Sequence, residues 1–217
     1  MQQIYPDLWQ TRAEQPLPEV PDLVTRAYVI TRPDGNLLIY STGLADEHQA
    51  IRELGGIRGQ FLSHVDEAGP ALKTLRDMFG SELWGHAAEA DAVARRAGVR
   101  PDRTFVGPET HGDLEVMPLP GHTPGSTAYL YRSPQGRTYL FTGDTIGRDD
   151  AGVWTAGYLP FSDKPQLVAT LRRLAELQPD VVLSSAFGRN FPQTEMTAPG
   201  QWRAAVDEAL APLLEAA

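Results

Sequence analysis

Chemistry in this chain must come from imidazole, carboxylate and hydroxyl groups, because its 217 residues include five histidines and no cysteine. Disulfides, thiolate nucleophiles and cysteine-based metal sites are thereby excluded. Three short stretches concentrate the useful groups. In Leu119-Pro120-Gly121-His122-Thr123-Pro124-Gly125-Ser126-Thr127 an imidazole sits in a loop that proline and glycine fix on both sides. In Leu140-Phe141-Thr142-Gly143-Asp144 an apolar run ends in glycine and then a carboxylate. In Ser63-His64-Val65-Asp66-Glu67-Ala68-Gly69 an imidazole and a carboxylate stand two residues apart after another apolar run. Loops on rigid strands are where ligands and reacting groups tend to sit. Taken singly, each has a plain structural alternative: a loop histidine bonded to a carbonyl, or an aspartate that caps a turn or pairs with Arg148.

The elements that would position these groups follow from periodicity. Arg26–Thr31 and Asn36–Tyr40 read as strands joined by the turn Pro33-Asp34-Gly35-Asn36, a β-hairpin. A helix over Leu44–Leu54, a strand at Gln60–Ser63, a helix carrying Leu72, Leu75 and Phe79, a strand at Glu82–Trp84 and a helix over Ala87–Ala97 complete the first half. The second half opens with strands at Leu114–Pro118, Ser126–Arg132 and Arg137–Thr142. A loop from Gly147 to Phe161 follows, then a helix capped by Ser162 or Asp163, a buried strand at Val181–Leu183 and a C-terminal helix with Trp202, Val206, Leu210 and Leu213 on one face. Prolines 6, 16, 18 and 21 make the first 23 residues an irregular or edge segment. Interleaved strands and helices place the chain in the mixed α/β class.

Gly121-His122-Thr123-Pro124-Gly125-Ser126-Thr127 followed by Phe141-Thr142-Gly143-Asp144 closely resembles the metallo-β-lactamase superfamily, and the order of elements agrees over nearly the whole chain. The resemblance implies a four-layer αβ/βα sandwich over residues 1–217 as a single domain, with metal at one edge between the sheets. It also implies a hydrolase with one or two zinc or iron ions. His122 matches a metal-binding histidine, and Asp144 matches the carboxylate that bridges two metals. The family's His-x-His-x-Asp-His motif falls on residues 64–69. His64 keeps the first ligand, and Asp66 stands at the second histidine. Ala68 and Gly69 replace the aspartate and the last histidine, and Ala186 stands where a late strand-end histidine is expected. The early Asp-x-Gly reads Ser41-Thr42-Gly43.

Four ligands remain on this reading: His64, Asp66, His122 and Asp144. They suit one divalent ion, zinc first and iron or manganese next, whose bound water would serve as the nucleophile of a hydrolase. The general base stays open between Glu67 and Asp66. A metal-free binding or regulatory protein on the same scaffold is the alternative. Ala68, Gly69 and Ala186 are expected to line one emptied space, and His122 to contribute little packing without metal. His86 is read as a non-ligand, His48 and His111 as solvent-facing, Arg189 as a surface residue, and Trp154 and Tyr158 as candidates for the mouth of the cleft.

A net charge of −9 opposes nucleic-acid and anionic-membrane partners and leaves a small molecule as the expected one. No apolar run reaches the ~18 residues of a membrane span, and the N-terminal residues lack a signal-peptide pattern, which places the protein in the cytosol. Oligomeric state has no signature in the sequence.

Overall fold

The computed structural model describes residues 1–17, 19–20 and 23–215, so Pro18 and Pro21 lie outside the described residues. The first seven strands form one sheet in chain order: β1 (Gln2–Tyr5), β2 (Leu8–Gln10), β3 (Tyr28–Ile30), β4 (Leu37–Ile39), β5 (Gly59–Phe61), β6 (Glu82–His86) and β7 (Arg103–Phe105). Three helices lie between them: α1 (Ala45–Glu53), α2 (Pro70–Phe79) and α3 (Ala90–Ala97). A second sheet contains β8 (Glu109–His111), β9 (Leu114–Pro118), β10 (Thr127–Arg132) and β11 (Thr138–Gly143), then β14 (Val181–Ser184) and β15 (Gln193–Glu195). A separate ribbon pairs β12 (Ile146–Arg148) with β13 (Trp154–Ala156). Helices α4 (Lys164–Leu174) and α5 (Gln201–Glu215) complete the chain.

Alternation along the strands sets the layers. Tyr129 and Tyr131 of β10, Tyr139 and Phe141 of β11, and Val181 and Leu183 of β14 face the first sheet, where Tyr28, Ile30, Ile39 and Phe61 meet them. The intervening Ala128, Leu130, Leu140 and Val182 turn outward onto Leu167, Leu171, Val206 and Leu210 of α4 and α5. On the far side of the first sheet Leu62, Leu72, Leu83 and Val93 join α2 and α3 to the strands. The result is the four-layer αβ/βα sandwich. The hairpin over residues 26–40 is present, with Val29 opposite Leu38.

Differences from the sequence reading fall where strands are short or exposed. The N-terminal segment is a β1–β2 hairpin rather than irregular chain, although it does form the edge of its sheet. The span read as a loop from Gly147 contains the β12–β13 ribbon. Strands β7, β8 and β15 carry mostly exposed or half-buried residues and so lack an apolar signal. His48 is buried, and its Nε2–H donates to the Thr42 carbonyl at 2.8 Å, so it is not solvent-facing. His111 is half-buried with its ring against Trp84. No described helix is long and apolar enough to cross a membrane.

Candidate metal centre

The three stretches meet at one edge of the two sheets. β5 runs into Leu62-Ser63-His64, the β9–β10 connection carries His122, and β11 ends at Gly143-Asp144 beside its parallel neighbour β14. Two inter-sheet ties hold this edge. The Thr127 amide donates to the Ser63 carbonyl at 2.8 Å, and the buried Tyr40 hydroxyl accepts from the Gly143 amide at 2.8 Å while donating to the Leu183 carbonyl at 3.0 Å.

His64 and His122 are 3% and 2% exposed, and their ring centroids are 4.9 Å apart. Each ring is aimed through its Nδ1. His122 Nδ1–H donates to the Gly157 carbonyl at 2.6 Å. Gly157 is required for that approach, since a Cβ there would lie 1.8 Å from the Asp144 carbonyl oxygen and 3.1 Å from His122 Nδ1. His64 Nδ1 lies 2.9 Å from Ser63 Oγ, whose own proton goes to Glu67 Oε1. Glu67 Oε2 takes the Ser63 amide at 2.8 Å. Gly143 opens the space for this hydroxyl: with φ +56°, a Cβ at this position would come within 2.3 Å of Ser63 Oγ. Both Nε2 atoms are buried without a hydrogen bond among the described residues. Paired rings whose second nitrogens are fixed by hydrogen bonds are the arrangement of metal-bound imidazoles.

The carboxylates surround this pair unequally. Donor atoms of His64, Asp66 and His122 all lie within 4.8 Å of one another. Asp66 is exposed at the mouth and is paired with the Arg96 guanidinium. Asp144 joins through His64, its Oδ2 lying 3.4 Å from Nε2, while Oδ1 accepts from Ser185 Oγ–H and from the Ala186 amide at 3.1 Å. Burial disfavours charge on both His64 and Asp144, but each offsets the other. The imidazole stands well above its ordinary pKa through Asp144 and Glu67, and the carboxyl well below its own through His64, His122 and Ser185.

The donor set fits one divalent ion: two buried imidazoles whose Nε2 atoms make no hydrogen bond among the described residues, and a carboxylate within reach. Glu67 is turned inward with both oxygens on Ser63, which removes it as a base facing the cluster. Ser63, His64 and Asp144 are in line, but Ser63 is 2% exposed and its proton is committed to Glu67, so it is no nucleophile. The positions of the missing ligands have three different sets of neighbours. Ala68 packs on the Leu62, Leu72, Leu83 and Val93 cluster, Gly69 lines a surface pocket with Ser41 and Gly43, and Ala186 lies against Asp144. The low packing value expected for His122 is corrected, since its ring is buried, bonded to Gly157 and set against Phe161. Arg189 is exposed, and His86 accepts from the Ala88 amide at 3.1 Å. Sequence reasoning missed Ser63, Ser185 and Gly157, which carry no motif of their own.

Comparison with known proteins agrees with this architecture. The Metallo-beta-lactamase superfamily model matches residues 62–185, which contain the two histidines, both aspartates and Ser185. The chain belongs to the metallo-beta-lactamase superfamily. The hydroxyacylglutathione hydrolase GloC of Haemophilus influenzae is 29% identical over 153 residues, covering 58% of this chain and 65% of that protein. A hydroxyacylglutathione hydrolase of Shewanella denitrificans is also 29% identical, over 52% of this chain and 40% of its own length. The chain thus spans about two-fifths to just under two-thirds of the length of the curated relatives it matches. A metallo-beta-lactamase from Pontibacter korlensis superposes over 98% of this chain and 97% of its own, with TM-score 0.75 and 18% identity, a likeness of fold. TTHA1623, solved in a di-iron-bound form, covers 85% of this chain and 93% of its own at TM-score 0.63 and 25% identity.

Proposed function

We propose that this superfamily member is a metal-dependent hydrolase of small acyl substrates, esters or thioesters, with one divalent ion held by His64 and His122 and completed by Asp66 and Asp144. The observation that carries the reading is the pair of buried Nε2 atoms, neither of which makes a hydrogen bond among the described residues while the opposite nitrogen of each ring does. The acyl class is taken from the hydroxyacylglutathione hydrolases among the relatives. When bound, the ion supplies Lewis acidity and lowers the pKa of a coordinated water toward ~7. The protein's own part is to aim the two imidazoles through Ser63 and Gly157 and to keep Asp144 ionised beside them. Asp66, exposed and paired with Arg96, would complete the ligand set from the solvent side.

One observation favours a second reading, a metal-free binding protein. Both aspartates already have protein partners: Asp66 has Arg96, and Asp144 has His64 and Ser185. Metal analysis of protein purified without chelator separates the two, with near one equivalent of zinc, iron or manganese expected for the hydrolase. His122→Ala should lose that metal and the hydrolysis of acyl thioesters together. Full metal content and activity in the variant would remove His122 from the site.

A further inference from the structure

Nine large apolar residues are exposed among the described residues, and four of them, Val153, Tyr158, Leu159 and Phe161, fall in one nine-residue span. That span is the segment that supplies the Gly157 carbonyl to His122. It carries no charged side chain from residue 153 to 161. Phe161 is 63% exposed, yet its ring centroid lies 6.1 Å from that of His122, edge to face. Tyr158, Leu159 and Val153 are each between 42 and 46% exposed. Tyr158 also lines a cavity of about 260 Å³ whose walls are mainly Val153, Trp154, Ala156, Pro212 and Leu213, with Lys164 and Glu208 as its charged members. The segment is not slack: Ser162 Oγ–H donates to the His122 carbonyl at 2.9 Å and the Asp163 amide to the Gly121 carbonyl at 2.8 Å. The chain after Phe161 is thereby tied to the His122 loop, with the Phe161 ring against the imidazole.

Clustered exposed apolar groups mark a binding surface, and apolar walls with a few polar groups at one end describe a small-molecule site. We propose that Phe161, Tyr158 and Leu159 form an apolar rim that seats the hydrocarbon part of the substrate, with the cavity that Tyr158 lines receiving its far end. The substrate class is then an ester or thioester of a medium-length, uncharged acyl chain. This rests on the hydrolytic reading of the site. Phe161, Tyr158 and Leu159 themselves carry no cation for a polyanionic leaving group, Lys164 of the cavity stands with Glu208 in the same lining, and the metal cluster already holds Asp66 and Asp144.

The test uses neutral probes so that binding is measured apart from catalysis. Butan-1-ol, hexan-1-ol and octan-1-ol are titrated against the full chain with intrinsic fluorescence as readout, and Trp154→Phe identifies the share of the signal that comes from the cavity wall. Affinity should tighten about fourfold per added methylene, the value for burying one CH₂. Phe161→Ala, at an exposed position, should weaken octan-1-ol at least fivefold. In zinc-loaded protein, kcat/KM for acyl thioesters should rise from acetyl to octanoyl, and the slope should flatten in the variant. Equal octan-1-ol affinity in wild type and Phe161→Ala, or a preference for acetyl over octanoyl, overturns the proposal. So does an octan-1-ol affinity of zero with sedimentation that shifts from dimer to monomer in Phe161→Gln, because a second copy of the chain then covers the rim. Absence of zinc and of hydrolysis would refute the hydrolase reading while leaving the alkanol titrations to stand or fall by themselves.

Discussion

His64 shows how a single side chain can be specified from three directions at once. Its Nδ1 is set by Ser63, Ser63 is set by Glu67, and its Nε2 looks toward Asp144. Partners of this kind commonly change metal affinity 10–100-fold. Glu67→Gln should therefore weaken zinc binding by about one to two orders of magnitude, because the amide replaces one of the two accepting oxygens by a donor and leaves one Ser63 proton without its acceptor. Calorimetric titration with zinc checks this, and unchanged affinity would make Glu67 a packing residue only. The same ring gives a pH signature in chelator. The folded pKa of His64 is raised, so its pairing with Asp144 contributes stability that is complete below the ordinary value of about 6.5 and lost as pH rises through the folded value. The pKa of Asp144 is lowered, so its share is complete above about 3.9 and lost as pH falls through the folded value. The stability difference between wild type and His64→Gln should be largest between about pH 4 and 6.5 and shrink toward pH 9 in urea titrations. A difference that grows with pH would show a neutral folded His64. Zinc should reverse the trend, since it requires the unprotonated nitrogen.

Strand ends carry the site, and their fit is tight enough to test. Gly143 closes β11 with φ +56°, directly over Ser63 at the end of β5. Gly143→Ala adds both the cost of positive φ and an overlap with Ser63, together about 2–4 kcal/mol. Ser63→Gly in the same chain removes the overlap and should restore part of the loss. Strictly additive effects in a double-mutant cycle would mean that the two strands do not press on each other there. The legibility of these elements in the sequence varied for physical reasons. The 26–40 hairpin announces itself through Pro33-Asp34-Gly35-Asn36, β9 through alternating buried residues, and β10 and β11 through nearly continuous buried runs. The β1–β2 hairpin and the β12–β13 ribbon bury little on one side or the other, so no period marks them. His122 and Asp144 were legible because glycine and proline frame them. Ser63, Glu67 and Gly157 were not, because their roles come from contacts between sheets and loops far apart in sequence.

Ion binding at the shared edge should be felt by the sandwich as a unit, because ligand positions come from both sheets. At zinc one hundred times above its Kd the folded state gains about 2.7 kcal/mol. For a chain of this size that corresponds to a Tm higher by about 5–10 °C than in chelator. Scanning calorimetry with and without zinc measures it, and equal Tm values would favour the metal-free reading. The segment from Val153 to Phe161 adds one more property. Its Gly157 carbonyl fixes the His122 ring, while the residues on either side form the apolar rim. Whatever steadies that segment from outside also steadies the imidazole within, and an ion that fixes the imidazole steadies the segment in return. Occupancy of the two places is then thermodynamically linked. Octan-1-ol should tighten zinc binding by some factor, and zinc should tighten octan-1-ol by that same factor, as reciprocity demands.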